Sequence, residues 1–395
     1  AELDEQLQEV FPPIIRERIS AKTGKKLKTH VTTFNPGSRQ QVADRLRERY
    51  PEITFEKTEK GNTKVDDDVL ELLGEKYPEA KILAEYQLLN KRLGQIVDGK
   101  EAWLYHCRKY GDGRIHGGVK TNACVSGRCS HVSPNMSQVP AVGAPFGSEC
   151  RALFTAPEGW MLVGTDAAAL ELRALGAWLA HFDGGEYAKL VSTEGFDIHS
   201  YNAKLFGIWD GEGEIEKMER NLAKSCIFAV CYGAGSRKVG SLFYPKGTEQ
   251  QMMAKGKEVI DTFYRKLPAI KKLKDKIDQR ITERSYLTGI DGRHLQIRSR
   301  HSALNQLLQS TGALIMKKAT CILYGSLKNR GFVHGNDYGF CGFFHDEWQI
   351  AAKKDYVQVV QDESIRAIEL SGQYFNLLCP FTGESRKGQN WMETH

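Results

Sequence analysis

Residues 220–233 read Arg-Asn-Leu-Ala-Lys-Ser-Cys-Ile-Phe-Ala-Val-Cys-Tyr-Gly. Arg220, Lys224, Phe228 and Tyr232 recur at every fourth position, a spacing that stacks them on one face of a helix. At ~1.5 Å of rise per residue they span roughly 18 Å. Cations occupy one end of the face and aromatic rings the other. A nucleoside triphosphate laid along it would set its phosphates at Arg220 and Lys224, and its sugar and base at Phe228 and Tyr232. Combined with two separated, exposed aspartates, such a helix points to nucleotidyl transfer.

Those aspartates are Asp166 and Asp346. Met161-Leu-Val-Gly-Thr-Asp166 is a short apolar run ending in an acid, with a helical pattern over Ala167 to Ala180 directly after it. Tyr338 to Phe344 and Trp348 to Ala352 read as two strands joined by a tight turn that holds His345, Asp346 and Glu347. Each aspartate should therefore project from a sheet edge. Two carboxylates brought together repel unless a cation lies between them. Two Mg²⁺ ions about 3.5–4 Å apart would relieve that repulsion and stabilise displacement at phosphorus. Either aspartate alone reads equally well as a helix or turn cap; the pair together with the 220–232 helix selects the metal reading. Strand alternation sends neighbours to different sides, so His345 is expected on a phosphate or the backbone, with a packed turn histidine as the open alternative. Glu171, in the first turns after Asp166, is either a solvent-facing carboxylate or a group crowding a ribose 2′-hydroxyl. Asn305 and Gln309 share one face of the Ala303 to Ala319 helix. Their amides either face water or read the N3 and O2 acceptors of the minor groove.

The chain of 395 residues is long enough for two or three subdomains, and its 41% hydrophobic and 26% charged residues suit a folded water-facing protein. No apolar run reaches membrane-spanning length, so no membrane partner is expected, and a cytoplasmic location follows, the host cytoplasm for a phage-encoded protein. The net charge of +6 is concentrated in 14–49 and 265–280, including Lys25, Lys26, Lys28, Arg45, Arg47, Arg49, Lys271, Lys272, Lys274 and Lys276. Either stretch alone is as easily a solvated helix face as a polyanion-binding surface. Nine cysteines without a Cys-x-x-Cys pair suggest reduced thiols and argue against structural zinc.

Along the chain, residues 3–10 read as a helix stopped by Pro12 and Pro13, and a basic, turn-rich stretch runs from Lys22 to Lys28. Asn35-Pro36-Gly37-Ser38 caps a helix through Tyr50, and Leu70 to Leu73 begins another. Residues 78–108 form a long amphipathic helix or helix pair with Leu83, Tyr86, Leu89, Leu93 and Ile96 at helical spacing. Short strands fall in 114–132, and 186–287 is almost all helical. The chain opens on Ala1 inside a helical pattern, so a domain upstream in a longer protein is expected.

Three blocks, in this order, resemble the family A (Pol I-type) DNA polymerases: Thr165-Asp166-Ala-Ala-Ala-Leu-Glu171-Leu-Arg173, the 220–233 helix, and Phe344-His345-Asp346-Glu347. Supporting blocks are Ser126-Gly127-Arg128-Cys-Ser-His, Pro134-Asn135-Met-Ser-Gln138-Val-Pro140, Asp197-Ile198-His199 and Asn305-Gln-Leu-Leu-Gln309. The short link from Gly292-Arg293 to Asn305 and the form of residues 126–151 are similar to phage replicative members. The likeness covers Phe34 to the C-terminus. It implies an α+β right-hand polymerase fold with an antiparallel β-sheet palm: thumb over 1–108, first part of the palm with motif A over 109–180, fingers over 181–290, second part of the palm with motif C over 291–395. It implies a template-directed DNA polymerase using two Mg²⁺ ions, dNTPs and primer–template DNA. Asp166 and Asp346 match the metal-binding carboxylates, and the main-chain carbonyl of Ala167 a further metal contact. His199, Arg220 and Lys224 match the triphosphate-holding groups, Lys224 also being placed to protonate pyrophosphate. Phe228 and Tyr232 match the rings flanking the nascent pair, and Glu171 the steric gate. Arg128, Gln138, Arg293, Asn305, Gln309 and His345 match primer–template contacts.

Departures are informative. Motif A lacks the Tyr-Ser that often follows its aspartate. The short stretch between Phe11 and Phe34 leaves no room for the long thumb insertion of thioredoxin-recruiting phage members, so a monomer without a thioredoxin-type processivity factor is expected. Nothing resembles a proofreading exonuclease domain. The rivals are a single-subunit RNA polymerase, which Glu171 argues against by penalising ribose, a two-metal nuclease or phosphatase, which leaves the 220–232 helix unexplained, and a non-catalytic DNA-binding module, which the intact acids disfavour. Some phage members carry Tyr where this chain has Phe228, and the resemblance implies that Phe resists 3′-deoxy terminators. Phe228→Tyr should raise dideoxynucleotide incorporation in competition with normal nucleotides; unchanged competition would refute that expectation.

Overall fold

The computed structural model describes residues 2–19, 24–58 and 61–395, leaving aside the side chains of Arg18, Ile19, Leu27 and Lys28. Lys22 and the Lys28 side chain, both in the expected basic stretch, thus lie outside the described residues, as does Ala1. Contacts divide the chain into two units, Ala1–Gly118 and Val119–His395.

In the first unit, α1 (Glu2–Val10) stops short of Pro12-Pro13, where ring closure removes the backbone donors a helix needs. An antiparallel hairpin follows, β1 (Ile14–Ile19) and β2 (Lys26–Thr32), with Ile15 opposite Val31. Ser38 caps α2 (Arg39–Arg49) as its spacing foretold, its hydroxyl accepting from the Gln41 N–H at 3.4 Å. The next helix, α3 (Asp67–Gly74), begins three residues before the Leu70 expected, because Asp66 caps it through the Val69 N–H at 3.1 Å. The 78–108 segment is a pair, α4 (Pro78–Ile96) and α5 (Trp103–Lys109). Leu7, Phe11, Phe34, Leu46, Leu70 and Leu83 form the core of this unit. The α4 stripe is buried only at its start: Leu83 is fully covered, whereas Leu93 is 51% exposed.

The second unit opens with the short strands β3 (Gly118–Lys120) and β4 (Ser130–Val132) and the helix α6 (Gly147–Ala152). Strand β5 (Trp160–Ala167) leads into α7 (Leu170–Asp183). That helix starts at Leu170 and not at Ala167, because Ala167 still pairs within the sheet and Ala169 turns through a φ of +50°. The helical block comprises α8 (Glu186–Ser192), α9 (Ile198–Phe206), α10 (Lys217–Cys231), α11 (Ser236–Phe243), α12 (Glu249–Lys266) and α13 (Pro268–Arg284). The hairpin β6 (Tyr286–Thr288) and β7 (His294–Gln296) leads to the long α14 (Ala303–Asn329). Then come β8 (Tyr338–Phe344), β9 (Glu347–Lys353), α15 (Val357–Tyr374) and β10 (Gly383–Gly388).

Four of these strands form one antiparallel sheet in the order β10-β5-β9-β8. Strand β10, Gly-Glu-Ser-Arg-Lys-Gly, has no apolar alternation and was not foreseen; backbone pairing with β5 holds it. Helix α15 packs on the sheet, α14 on α15, and α7 on α14. Trp348 is wholly buried and donates its indole N–H to the Thr320 hydroxyl at 3.0 Å. All nine cysteines are free thiols. No described helix is long and apolar enough to cross a membrane.

Candidate active site

The β5–β9 register sets Asp166 opposite Glu347, one residue past Asp346. The Ala167 N–H donates to the Asp346 carbonyl at 2.9 Å, tying the end of β5 to the β8–β9 turn. Within that turn the Asp346 N–H returns to the Phe344 carbonyl at 2.8 Å, and His345 between them has a φ of +63°. This is a γ-turn of a rare, strained kind for a residue with a Cβ. It tips the Asp346 side chain out of the alternation of both strands. The Asp166 side chain reaches solvent, yet protein surrounds enough of it that burial, with the charges of Asp346, Glu347 and Glu384, pushes its carboxyl up to about 7. Burial also raises Asp346, aided by Glu347 and Glu171 and opposed by Arg128. The acids distant in sequence therefore meet, and they meet undercompensated.

His345, Asp346 and Glu347 diverge. Glu347 is buried, and its Oε1 accepts from Gln349 Nε2 at 2.6 Å, Trp391 Nε1 at 2.8 Å and His395 Nε2 at 3.0 Å. Burial would raise its carboxyl, but the bonds from His395 and Gln349 overcome this and hold it below the usual range. Burial lowers the His345 imidazole, with Arg128 and His131 adding to the effect, and its Nδ1 has no protein partner.

Helix α10 carries Arg220, Lys224 and Phe228 on successive turns. Glu216 and Glu219 form a capping box at its start, and Tyr232 closes it as the C-cap. The chain can end the helix there because Gly233, at a φ of +76°, passes the His301 carbonyl so closely that a Cβ would lie 1.7 Å from its oxygen. Ala223, Cys226, Ile227 and Val230 bury the opposite face, which leaves Arg220, Lys224, Phe228 and Tyr232 half-buried or exposed along one side. Phe228 and Tyr232 lie 6.1 Å apart between ring centroids, and His199 on α9 lies 6.5 Å from Phe228. Arg220 grips Asp197, the α9 N-cap, with Nε at 2.7 Å and Nη2 at 3.0 Å. Burial would raise the Asp197 carboxyl, but Arg220 and Ser200 hold it down at about 2. Burial, with Arg220 and Lys224, keeps the His199 imidazole below its usual range, and its Nδ1 lacks a partner.

Glu171 joins this ledge to the β3–β4 loop. Its Oε2 accepts from the Tyr232 hydroxyl at 2.8 Å and its Oε1 from Arg128 at 3.3 Å. Arg128 lies on the loop between β3 and β4. That loop, through Ser126, shares a cleft of about 240 Å³ with Asn305 and Gln309, and the Asn305 Oδ1 is buried without a partner. Arg293, in the β6–β7 turn, bonds Asp291 at 2.7 Å and lies against Gly127. Gln138 ends a short 3₁₀ turn at the surface. Sequence reasoning missed the grip of Asp197 on Arg220, for which an N-cap pattern was the one available signal.

The donor set fits a hard divalent cation. Asp166 and Asp346 are oxygen ligands short of positive charge, and among the described residues no cluster of three or more His, Cys, Asp or Glu forms a metal cage. Mg²⁺ is commonly bound in this way, by one or two carboxylates plus substrate phosphates and water.

An antiparallel sheet with two acids at its rim, beside a helix bearing cations and rings, defines an α+β protein. The chain belongs to DNA polymerase family A, whose model matches residues 8–393. It is 35% identical to the DNA-directed DNA polymerases of Enterobacteria phage T3 and Escherichia phage T7, over 92% of this chain and 53% of each relative. It is 28% identical to the thermostable DNA polymerase I of Thermus aquaticus, over 91% of this chain and 42% of that protein. The chain thus spans about half the length of the phage relatives. Its fold matches the POL domain of Pol1 from M. smegmatis, solved with DNA primer-template and dNTP, with a TM-score of 0.79 over all of this chain and 64% of that one, at 20% identity.

The undercompensated pair should be visible in stability. Without metal, Asp166 holds its proton up to about 7 in the folded state against 3.8 in the unfolded chain, so it destabilises the fold increasingly as pH rises through that window. In EDTA near pH ~8, Asp166→Asn should be more stable than the parent by about 1–2 kcal/mol, the full linkage being discounted for the solvent at Asp166. The gain should vanish below pH ~4, and Mg²⁺ should stabilise the parent more than the variant. Thermal melts across pH check this; a variant no more stable than the parent at the alkaline end would contradict it.

Proposed function

We propose that this chain is the polymerising part of a DNA-directed DNA polymerase, which adds dNTPs to a primer 3′-hydroxyl under template direction and releases pyrophosphate. The observation that carries the reading is the meeting of Asp166 and Asp346 at the sheet rim in a chain of this family. Asp166, Asp346 and the carbonyl of Ala167 would hold two Mg²⁺ ions, which when bound would supply positive charge to the attacking oxygen and the phosphorus centre. Arg220, Lys224 and His199 bind the triphosphate. The triphosphate would take over from Asp197 the guanidinium that this carboxylate grips in its absence. The primer 3′-hydroxyl gives its proton to water, its oxygen forms a bond to the α-phosphorus, the bond to pyrophosphate breaks, and the Lys224 Nζ gives a proton to the departing oxygen. Phe228 and Tyr232 stack against the nascent pair. Asn305 and Gln309 offer amides to the minor-groove edge, while Arg128, Gln138, Arg293 and His345 hold primer–template phosphates and sugars.

The bond between Glu171 and Tyr232 supports DNA over RNA synthesis, because it closes the space that a 2′-hydroxyl would enter. By the same reading 1–108 is the thumb, 109–180 and 291–395 the palm, and 181–290 the fingers, which close over the nucleotide. The β1–β2 hairpin fills the stretch between Phe11 and Phe34, and we assign the chain to work as a monomer without a thioredoxin-type factor. Residues 14–32 carry six Lys and Arg against one acid, so duplex affinity should fall steeply with salt.

Primer extension tests the proposal. The parent should extend a primer with dNTPs and not with NTPs. Asp346→Ala should lose extension by at least ~10²-fold, as expected for removing charge stabilisation at the reacting centre, while keeping DNA affinity. Extension retained by that variant would overturn the assignment.

A further inference from the structure

Lys317 lies on the same stripe of α14 as Asn305 and Gln309, at four-residue steps through Ala313. Its ammonium does not face the cleft they line. It donates to three oxygens of the loop between β3 and β4: the Thr121 carbonyl, the Asn122 Oδ1 at 2.9 Å and the Gly127 carbonyl at 2.6 Å. An ammonium has three N–H donors, and each has a protein acceptor here, so none is left for substrate.

Two thiols, weak donors by nature, also hold the loop: Cys129 Sγ to the Thr121 carbonyl at 3.7 Å and Cys124 Sγ to the Cys129 carbonyl at 3.8 Å. The loop's own backbone bonds are Gly127 N–H to Cys124 O at 2.8 Å and Cys124 N–H to Arg128 O at 3.4 Å. At Gly127 three contacts converge. Lys317 holds its carbonyl, and Arg293 packs where a Cβ would come within 2.8 Å of its Nη1. The next residue, Arg128, reaches Glu171 at 3.3 Å. A φ of +80° at Gly127 turns the chain between the first contact and the last.

We propose that Lys317 is a positioning residue: by clamping residues 121–127 onto α14 it presents Arg128 to Glu171, and so holds the Glu171–Tyr232 pair that excludes ribose. This rests on the polymerase reading above. Lys317 acts through the loop and touches neither nucleotide nor metal. Without the clamp, Arg128 withdraws, Glu171 keeps Tyr232 as its one partner, and the wall beside the sugar loosens.

Two readouts test it, one independent of polymerase activity. Cys129 closes the loop and is 5% exposed, whereas Cys124 within it is exposed. In the full chain, Lys317→Met should speed iodoacetamide alkylation of Cys129 at least ~10-fold, the loss of about one charge-assisted hydrogen bond, and leave Cys124 unchanged. With dNTP and NTP competing in primer extension, the same variant should lose about 10-fold in sugar discrimination, with kcat for dNTP kept within ~3-fold. Lys317→Arg, which keeps charge and donors, should recover much of both effects. Lys318→Met, whose parent ammonium lies 3.5 Å over the Tyr374 ring, should match the parent in both. If Lys317→Met fails to fold, Asn122→Ala, which removes one of the three acceptors, should show both effects in weaker form. Cys129 protected as in the parent overturns the clamp. An opened loop with unchanged discrimination overturns its link to Glu171. A parent that extends no primer overturns the polymerase reading instead, and the alkylation result still judges the clamp.

Discussion

Two carboxylates forced together with too little counter-charge are the constraint on which the site depends. The force is backbone geometry. Register across β5 and β9, the bond from the Ala167 N–H to the Asp346 carbonyl and the γ-turn at His345 fix both chains before any side chain is considered. Burial first, and the charges of Asp346, Glu347 and Glu384 after it, push the Asp166 carboxyl up to about 7. A fold selected for stability alone would separate these groups or pair each with a cation, as it does with Asp197 and Arg220. Glu347 marks the contrast: one residue on, it is also a carboxylate and is more deeply buried, yet three donors satisfy its Oε1. The charge left unsatisfied is confined to the two acids that open to solvent at the rim.

The rest of the second unit extends that logic outward. Unpartnered polar atoms at His199, Asn305 and His345 lie along the surfaces proposed for triphosphate and primer–template. Buried atoms of this kind normally find partners, and groups that lack them point to a ligand that completes them. Asp197 performs a related service for Arg220, keeping the guanidinium oriented through two bonds. The chain from Tyr232 to Glu171 to Arg128 connects this ledge to the β3–β4 loop through hydrogen bonds of 2.8 and 3.3 Å.

Much of this was legible in the sequence where local pattern and chemistry coincide. Asp166 and Asp346 stand out because apolar strand runs break at an acid, and the α10 face stands out because four functional groups keep one helical spacing. The antiparallel pairing of β8 with β9 followed from the same patterns, and the α+β class from the family resemblance that these blocks carry. What stayed hidden depends on partners that sequence spacing does not encode. Strand β10 has no apolar face and exists through backbone bonds to β5. The delayed start of α7 reflects a left-handed Ala169, a conformation its residue type does not announce. Lys317 was invisible because two of its three acceptors are main-chain carbonyls.

The most direct test of the central claim is a count of bound Mn²⁺ by electron paramagnetic resonance, with a dideoxy-terminated primer–template and the next dNTP present. The account predicts about two ions per parent chain and near-complete loss of both when Asp166 and Asp346 are changed together to Asn. Equal Mn²⁺ binding by the parent and the double variant would contradict it.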